Sequence, residues 1–225
     1  MNDNFSAKIV FVLLLFVLPC AVTVGAQETD ATMQFHLDNT AYVFKQSYII
    51  NKEITFTVKV RSIFEQTDYR GKMEKSDTAV YAVYVSNGSI DSTLVIDSAG
   101  VPKNRPPDSL HPYLPWEESY NYYFYPNDTG AGRLAIGYES PVSDTTRNRT
   151  GFLNINRGNY DLQDVFLHSR NVEGYQRLSN VYSFERDGKF ILPLRFEEYI
   201  VKIAFMGHQY SRHYLEFFEY RIENI

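Results

Sequence analysis

The chain of 225 residues has one cysteine, Cys20, one tryptophan and no run of basic residues, with a net charge of −5. Each scarcity excludes something. Cys20 sits inside an N-terminal leader, so residues 27–225 carry no cysteine at all. That rules out disulfide staples, thiolate nucleophiles, thiolate zinc sites and iron–sulfur ligation, and leaves a hydrophobic core to hold the fold alone. Without a basic cluster there is no electrostatic footprint for nucleic acid. What is abundant is aromatic: Tyr 18 and Phe 16, a bias that with Val and Ile suits strands more than helices.

Residues 1–26 read as a secretory signal peptide. Lys8 precedes the apolar stretch Ile9 to Leu18, and Val24-Gly25-Ala26 offers a small-residue cleavage site. The stretch is too short for the roughly 20 residues a spanning helix needs, so no transmembrane span is expected once the leader is cleaved. Cys20 lies where a lipidated cysteine would, but Pro19 is a poor residue before one, which argues against lipid anchoring. The expected destination is the periplasm or cell envelope, or the extracellular space. The three Asn-x-Ser/Thr sites, at Asn87, Asn127 and Asn148, lie in turn-like stretches.

From Thr40 onward the signals are those of strands. Ile54 to Arg61 alternates apolar and polar residues. Val80–Ser86, Asn87-Gly88 and Ser89–Ile96 form a hairpin whose Asn-Gly supplies the two positive-φ residues of a type I′ turn. Tyr182–Arg186, Asp187-Gly188 and Lys189–Phe196 form another. Tyr120–Tyr125, Arg133–Glu139, Thr150–Asn156, Asp161–Ser169, Glu198–Phe205 and Arg212–Ile222 complete about ten strands joined mostly by short turns. Such spacing predicts an antiparallel meander, not βαβ units. Residues 27–39 read as an N-terminal tail, 40–225 as one β domain, and no convincing amphipathic helix is visible. Residues 97–116 hold five prolines, which excludes a helix or central strand and suggests a loop covering an open end of the sheet.

The usual chemistries find little support. His208 and His213 are five apart, so on one strand they point to opposite faces. Glu117-Glu118 and Glu197-Glu198 are adjacent, and each pair splits between faces where a glycosidase needs two carboxylates across a cleft. No Gly-x-Ser-x-Gly elbow, phosphate loop or calcium loop occurs. The expectation is a non-enzymatic protein with no cofactor and no metal.

Several short elements come in a familiar order: Tyr122-Tyr-Phe124, Gly137-Tyr-Glu-Ser-Pro141, Thr150-Gly-Phe-Leu-Asn-Ile155, Tyr160-Asp-Leu162, Asp187-Gly-Lys-Phe-Ile-Leu-Pro193 and Glu219-Tyr-Arg-Ile222. Over residues 120–222 the chain resembles the periplasmic outer-membrane lipoprotein-sorting (LolA/LolB-like) superfamily. The resemblance implies a mostly β fold: a single strongly curved antiparallel sheet, an unclosed half-barrel, whose concave face takes an acyl chain or other lipid. Strand alternation nominates Phe56, Val58, Tyr122, Phe124, Leu192, Leu194, Phe196 and Phe218 as its lining. Partners consistent with this reading are a hydrophobic ligand and an envelope protein. The competing reading is a β-sandwich interaction module that binds protein or glycan through surface tyrosines.

Overall fold

The computed structural model describes residues 30–99, 110–124, 132–141, 148–170, 176–205 and 207–223. The leader, Cys20 and residues 100–109 of the proline-rich stretch lie outside them. Ten strands follow in order: β1 Thr55–Thr67, β2 Met73–Ser86, β3 Ser89–Ser98, β4 Asn121–Phe124, β5 Arg133–Glu139, β6 Asn148–Asn156, β7 Leu162–Arg170, β8 Gln176–Asp187, β9 Phe190–Ala204 and β10 Gly207–Glu223. They form one sheet of order β3-β2-β1-β10-β9-β8-β7-β6-β5-β4, every neighbouring pair antiparallel. Two meanders are therefore sewn together where β1 pairs with β10, and the outer strands β3 and β4 leave the sheet unclosed. The single sheet removes the scaffold of the β-sandwich reading.

Local chemistry accounts for the strands. Along β1, Phe56, Val58, Val60 and Ser62 are buried while the residues between them are not, the period-2 pattern of a sheet with one packed face. At the first hairpin Ser86 pairs with Ser89, and Asn87 and Gly88 take φ values of 49° and 78°. The second hairpin differs by one residue from its expected position. Asp187 pairs with Phe190, so the turn residues are Gly188 and Lys189, with φ of 56° at the glycine. The strand expected to end at Phe196 runs on to Ala204 because Pro193 is absorbed at a bulge: Ser183 faces Arg195 and Phe184 faces Pro193, leaving Leu194 extra.

Residues 30–47 form a helix, α1, where the sequence suggested a tail and then strand. Met33, Leu37, Thr40, Phe44 and Tyr48 are its buried stripe, spaced at helical intervals. Asp38-Asn39-Thr40 interrupts that stripe with turn-forming residues, and Ala41-Tyr-Val-Phe44 has strand composition, so the 3.6 period is carried by few apolar positions. Packing against the sheet, not propensity, selects the helix.

The stripe joins inward residues of nearly every strand in one core, among them Val58, Val83, Ile136, Leu153, Ile155 and Phe184. After α1 a 3-10 turn, Ile49–Asn51, enters the sheet, with Tyr48 bridging Ile191 where β9 and β10 diverge. Tyr48 stacks on Phe44 at 4.5 Å and donates to the Leu110 carbonyl at 2.5 Å. Leu110 and Leu114 are buried in the same core, and Trp116 meets Phe44 edge-on at 6.0 Å. The end of the proline-rich stretch thus lies over the C-terminal turns of α1.

Candidate functional site: the inner face of the sheet

The inner face divides in two. Where α1 packs, it is filled. Past α1, register places two further rows on it: Leu167, Asn180, Glu198, His213 and Phe64, then Leu178, Ile200 and Ser211. Phe64, Leu178 and Ile200 are half-buried and do not belong to the packed core. Tyr182 and Phe196, ring centroids 4.8 Å apart, form the boundary between the halves.

The open half carries a small polar group. His213 Nε2 lies 3.1 Å from Ser62 Oγ. Glu198 is the direct cross-strand neighbour of both His213 and Asn180, and the buried Asn180 Oδ1 has no partner among the described residues. Burial alone pushes the Glu198 carboxyl above its ordinary range and holds the His213 imidazole below its own. A serine, a histidine and an acid stand in line, yet they do not make a hydrolytic triad. Ser62 is 0% exposed, which denies a substrate its hydroxyl, and no hydrogen bond joins Glu198 to His213 among the described residues. What the group offers is a partly desolvated polar floor beside apolar walls.

The signs of these shifts give a test. Glu198 binds its proton more tightly folded than unfolded, so its contribution to stability is present at low pH and lost as pH rises through its folded pKa. Glu198→Gln is therefore expected to be more stable than the parent at pH 7, by less than about 1 kcal/mol because the group is half-exposed. In thermal melts the gap should close toward pH 4. His213 acts in the opposite sense, costing stability as pH falls below about 6.5.

The eight residues nominated from strand alternation scatter. Phe56, Val58 and Leu192 are packed in the core, with Phe56 against Tyr220. Tyr122, Phe124 and Phe196 are half-buried against its margin. Leu194, the bulge residue, turns to the outer face, and Phe218 lies there too, beneath the Arg61 guanidinium at 5.3 Å. The cause at Phe218 is again a bulge. Lys59 faces Phe218 and Thr57 faces Arg221, so Glu219 and Tyr220 together oppose Val58, with Glu219 at φ 51°. Alternation inverts across that point, and Tyr220 is inward where Phe218 is not. As expected, His208 and His213 point to opposite faces, and Glu197 turns outward to accept from Arg212 Nε at 2.6 Å while Glu198 turns inward. Strand alternation reaches only the border of the open half, at Phe196; the residues within it carry no motif and are found only through register.

A tyrosine cluster fastens the rim. Arg149 Nη1 donates to both oxygens of Glu118 at 3.0 Å, and its guanidinium lies over the Tyr113 ring at 5.2 Å. Tyr113 and Tyr120 share a hydrogen bond through their hydroxyls. Tyr122 donates to the Pro115 carbonyl at 2.9 Å, and burial pushes its hydroxyl up to about 12. The end of the proline-rich stretch and the residues just after it are so tied to β4 and β6. Among the described residues no cluster of His, Cys, Asp and Glu could hold a metal ion, and no helix is long and apolar enough to cross a membrane.

No family model and no curated protein matches the chain. Solved structures do. An outer-membrane lipoprotein-sorting protein domain from Vibrio parahaemolyticus is similar at 8% identity and a TM-score of 0.43, over 84% of this chain and 92% of that one. A DUF1329 family protein from Desulfovibrio piger is similar over the same shares, at 8% identity and a TM-score of 0.41.

Proposed function

We propose that the protein is exported and acts without catalysis, holding an acyl chain or other apolar ligand across the open half of the inner face, in the periplasm or at the envelope. The observation that carries this reading is the set of half-buried Phe64, Leu178 and Ile200 on the inner side of an unclosed sheet, outside the core that α1 fills and bordered by Phe196. Each methylene buried there contributes about 0.8 kcal/mol. Asn180 Oδ1 and the Glu198 carboxyl stand on this half, available to a polar headgroup. The leader at residues 1–26 supports export.

Native mass spectrometry with organic extraction, followed by titration with a fluorescent fatty acid, tests this. A co-purifying lipid or saturable uptake is expected. Ile200→Asp places a charge among the apolar walls, and about tenfold weaker uptake is expected with little change in melting temperature. A clean apo mass with no uptake by the parent protein would sink the reading.

A further inference from the structure

The outer face holds a second feature, independent of the ligand proposed for the inner face. Register aligns Asn154, Asp164, Ser183, Arg195, Glu216 and Arg61 as one row across β6, β7, β8, β9, β10 and β1. Asn154 Nδ2 donates to Asp164 at 3.2 Å, Ser183 Oγ donates to Asp164 at 2.8 Å, and Arg195 Nη2 donates to Ser183 at 3.2 Å. Arg61 pairs with Glu216 at 2.5 Å. A polar outer row is ordinary on a sheet with one wet face. Two further facts make this stretch of it different.

First, bulges flank β8 on both sides at this level. Asn154 pairs with Asp164 and Ile155 with Leu162, leaving Gln163 extra in β7, just as Leu194 is extra in β9. Bulges re-aim side chains and sharpen the local bend. Between them opens a cleft of about 440 Å³ that both bulge residues line, within the range of small-molecule sites. Second, two buried polar atoms of residues lining that cleft have no partner among the described residues: the Gln163 Oε1 acceptor and the Arg195 Nε donor. Leaving such atoms unsatisfied is costly, and a ligand that pairs with them recovers the cost.

The charges around the cleft specify what would fit. Arg133 and Arg195 bring two cations to it, and the Glu216 carboxylate, which also lines it, is already paired with Arg61. Asp164 lines it as well and accepts only from neutral donors, Asn154 and Ser183, with no ion pair among the described residues. Leu194 and the Tyr214 ring add an apolar wall. We propose that this cleft binds a small zwitterion, a free apolar α-amino acid or a short apolar peptide. Its carboxylate takes the Arg195 Nε–H and the charge of Arg133, its ammonium donates to Gln163 Oε1 and Asp164, and its side chain lies on Leu194 and Tyr214.

Calorimetric titration of the purified protein with L-leucine and L-leucyl-L-leucine, with N-acetyl-L-leucine amide as the uncharged control, decides it. Saturable binding of a zwitterion with Kd below about 1 mM is expected, with no binding of the control. Arg195→Gln and Gln163→Leu should each weaken it about tenfold, the loss of one charge-assisted or buried hydrogen bond. Should Arg195→Gln fail to fold, Arg133→Gln, at an exposed position, is expected to weaken binding about threefold through charge alone. No saturable binding of either zwitterion up to about 10 mM, equal binding of the control, or unchanged affinity in the folded variants would overturn the proposal.

Discussion

Replacing Phe44 with alanine is expected to cost about 3–5 kcal/mol of folding free energy. Phe44 is 1% exposed and is the point at which four parts of the molecule meet. Its ring stacks on Tyr48 at 4.5 Å, meets Phe184 of β8 edge-on at 5.2 Å, and meets Trp116 at the end of the proline-rich stretch at 6.0 Å. Truncation removes the ring's burial and leaves a hole that these three cannot fill without giving up their own geometry. Because Tyr48 carries the hydrogen bond to Leu110, the loss should also loosen the segment over α1. Denaturant titration of Phe44→Ala beside Tyr42→Ala checks this. Tyr42 lies on the same helix but is 66% exposed, and its removal should stay within about 0.5 kcal/mol. Near-equal midpoints for the two variants would show that α1 does not plug the half-barrel.

The contrast between what was and was not legible in the sequence follows from the range of the forces involved. Turns are local: Asn87-Gly88 states its own φ angles, and the first hairpin lies where the residues put it. The short connections announce an antiparallel meander for the same reason. Bulges are not local. Nothing in the letters around Leu194 or Glu219 shows which strand will carry an extra residue, since that depends on how two strands far apart in sequence are matched. A strand read by alternation is thus correct up to its first bulge and inverted after it, which is what happens between Phe218 and Tyr220. Helix α1 fails for a related reason. Its apolar stripe is thin enough that only the concave sheet makes the helix worth forming, and the sheet is not visible to residues 30–47.

The two halves of the inner face follow from the same logic. The filled half is defined by large apolar residues that the sequence displays openly, and these were the natural nominations for a lining. Their very hydrophobicity places Phe56, Val58 and Leu192 in the core. The open half is mixed in composition, with Asn180, Glu198 and His213 among Phe64, Leu178 and Ile200, and only cross-strand register brings those residues from four strands to one surface. A ligand surface that must remain accessible cannot be the most apolar part of the fold, so ranking residues by hydrophobicity finds the core instead.

Gly151→Ala is expected to be the second severe substitution, at about 2–4 kcal/mol, because it overpacks a tight crossing and breaks a hydrogen bond. Tyr138 faces Gly151 across β5 and β6, and its side chain passes over the glycine so that its hydroxyl donates to the Phe166 carbonyl on β7 at 2.7 Å. A Cβ at residue 151 would stand 2.5 Å from the Tyr138 hydroxyl oxygen and closer still to the Phe166 carbonyl oxygen. Tyr138→Phe removes only the hydrogen bond and should cost about 1 kcal/mol, so the difference between the two variants isolates the steric part. Deleting the ring relieves one of the two contacts and leaves the backbone oxygen in place. Gly151→Ala combined with Tyr138→Ala should therefore remain less stable than Tyr138→Ala alone. Gly137 provides the matched control on the opposite face, where Tyr123 covers it from β4. There the obstacle is the ring end of a 39% exposed side chain that can swing into solvent, and Gly137→Ala should cost less than about 1 kcal/mol. Equal penalties at the two glycines, read by denaturant titration, would mean that the Phe166 carbonyl is not the fixed wall that makes Gly151 obligatory.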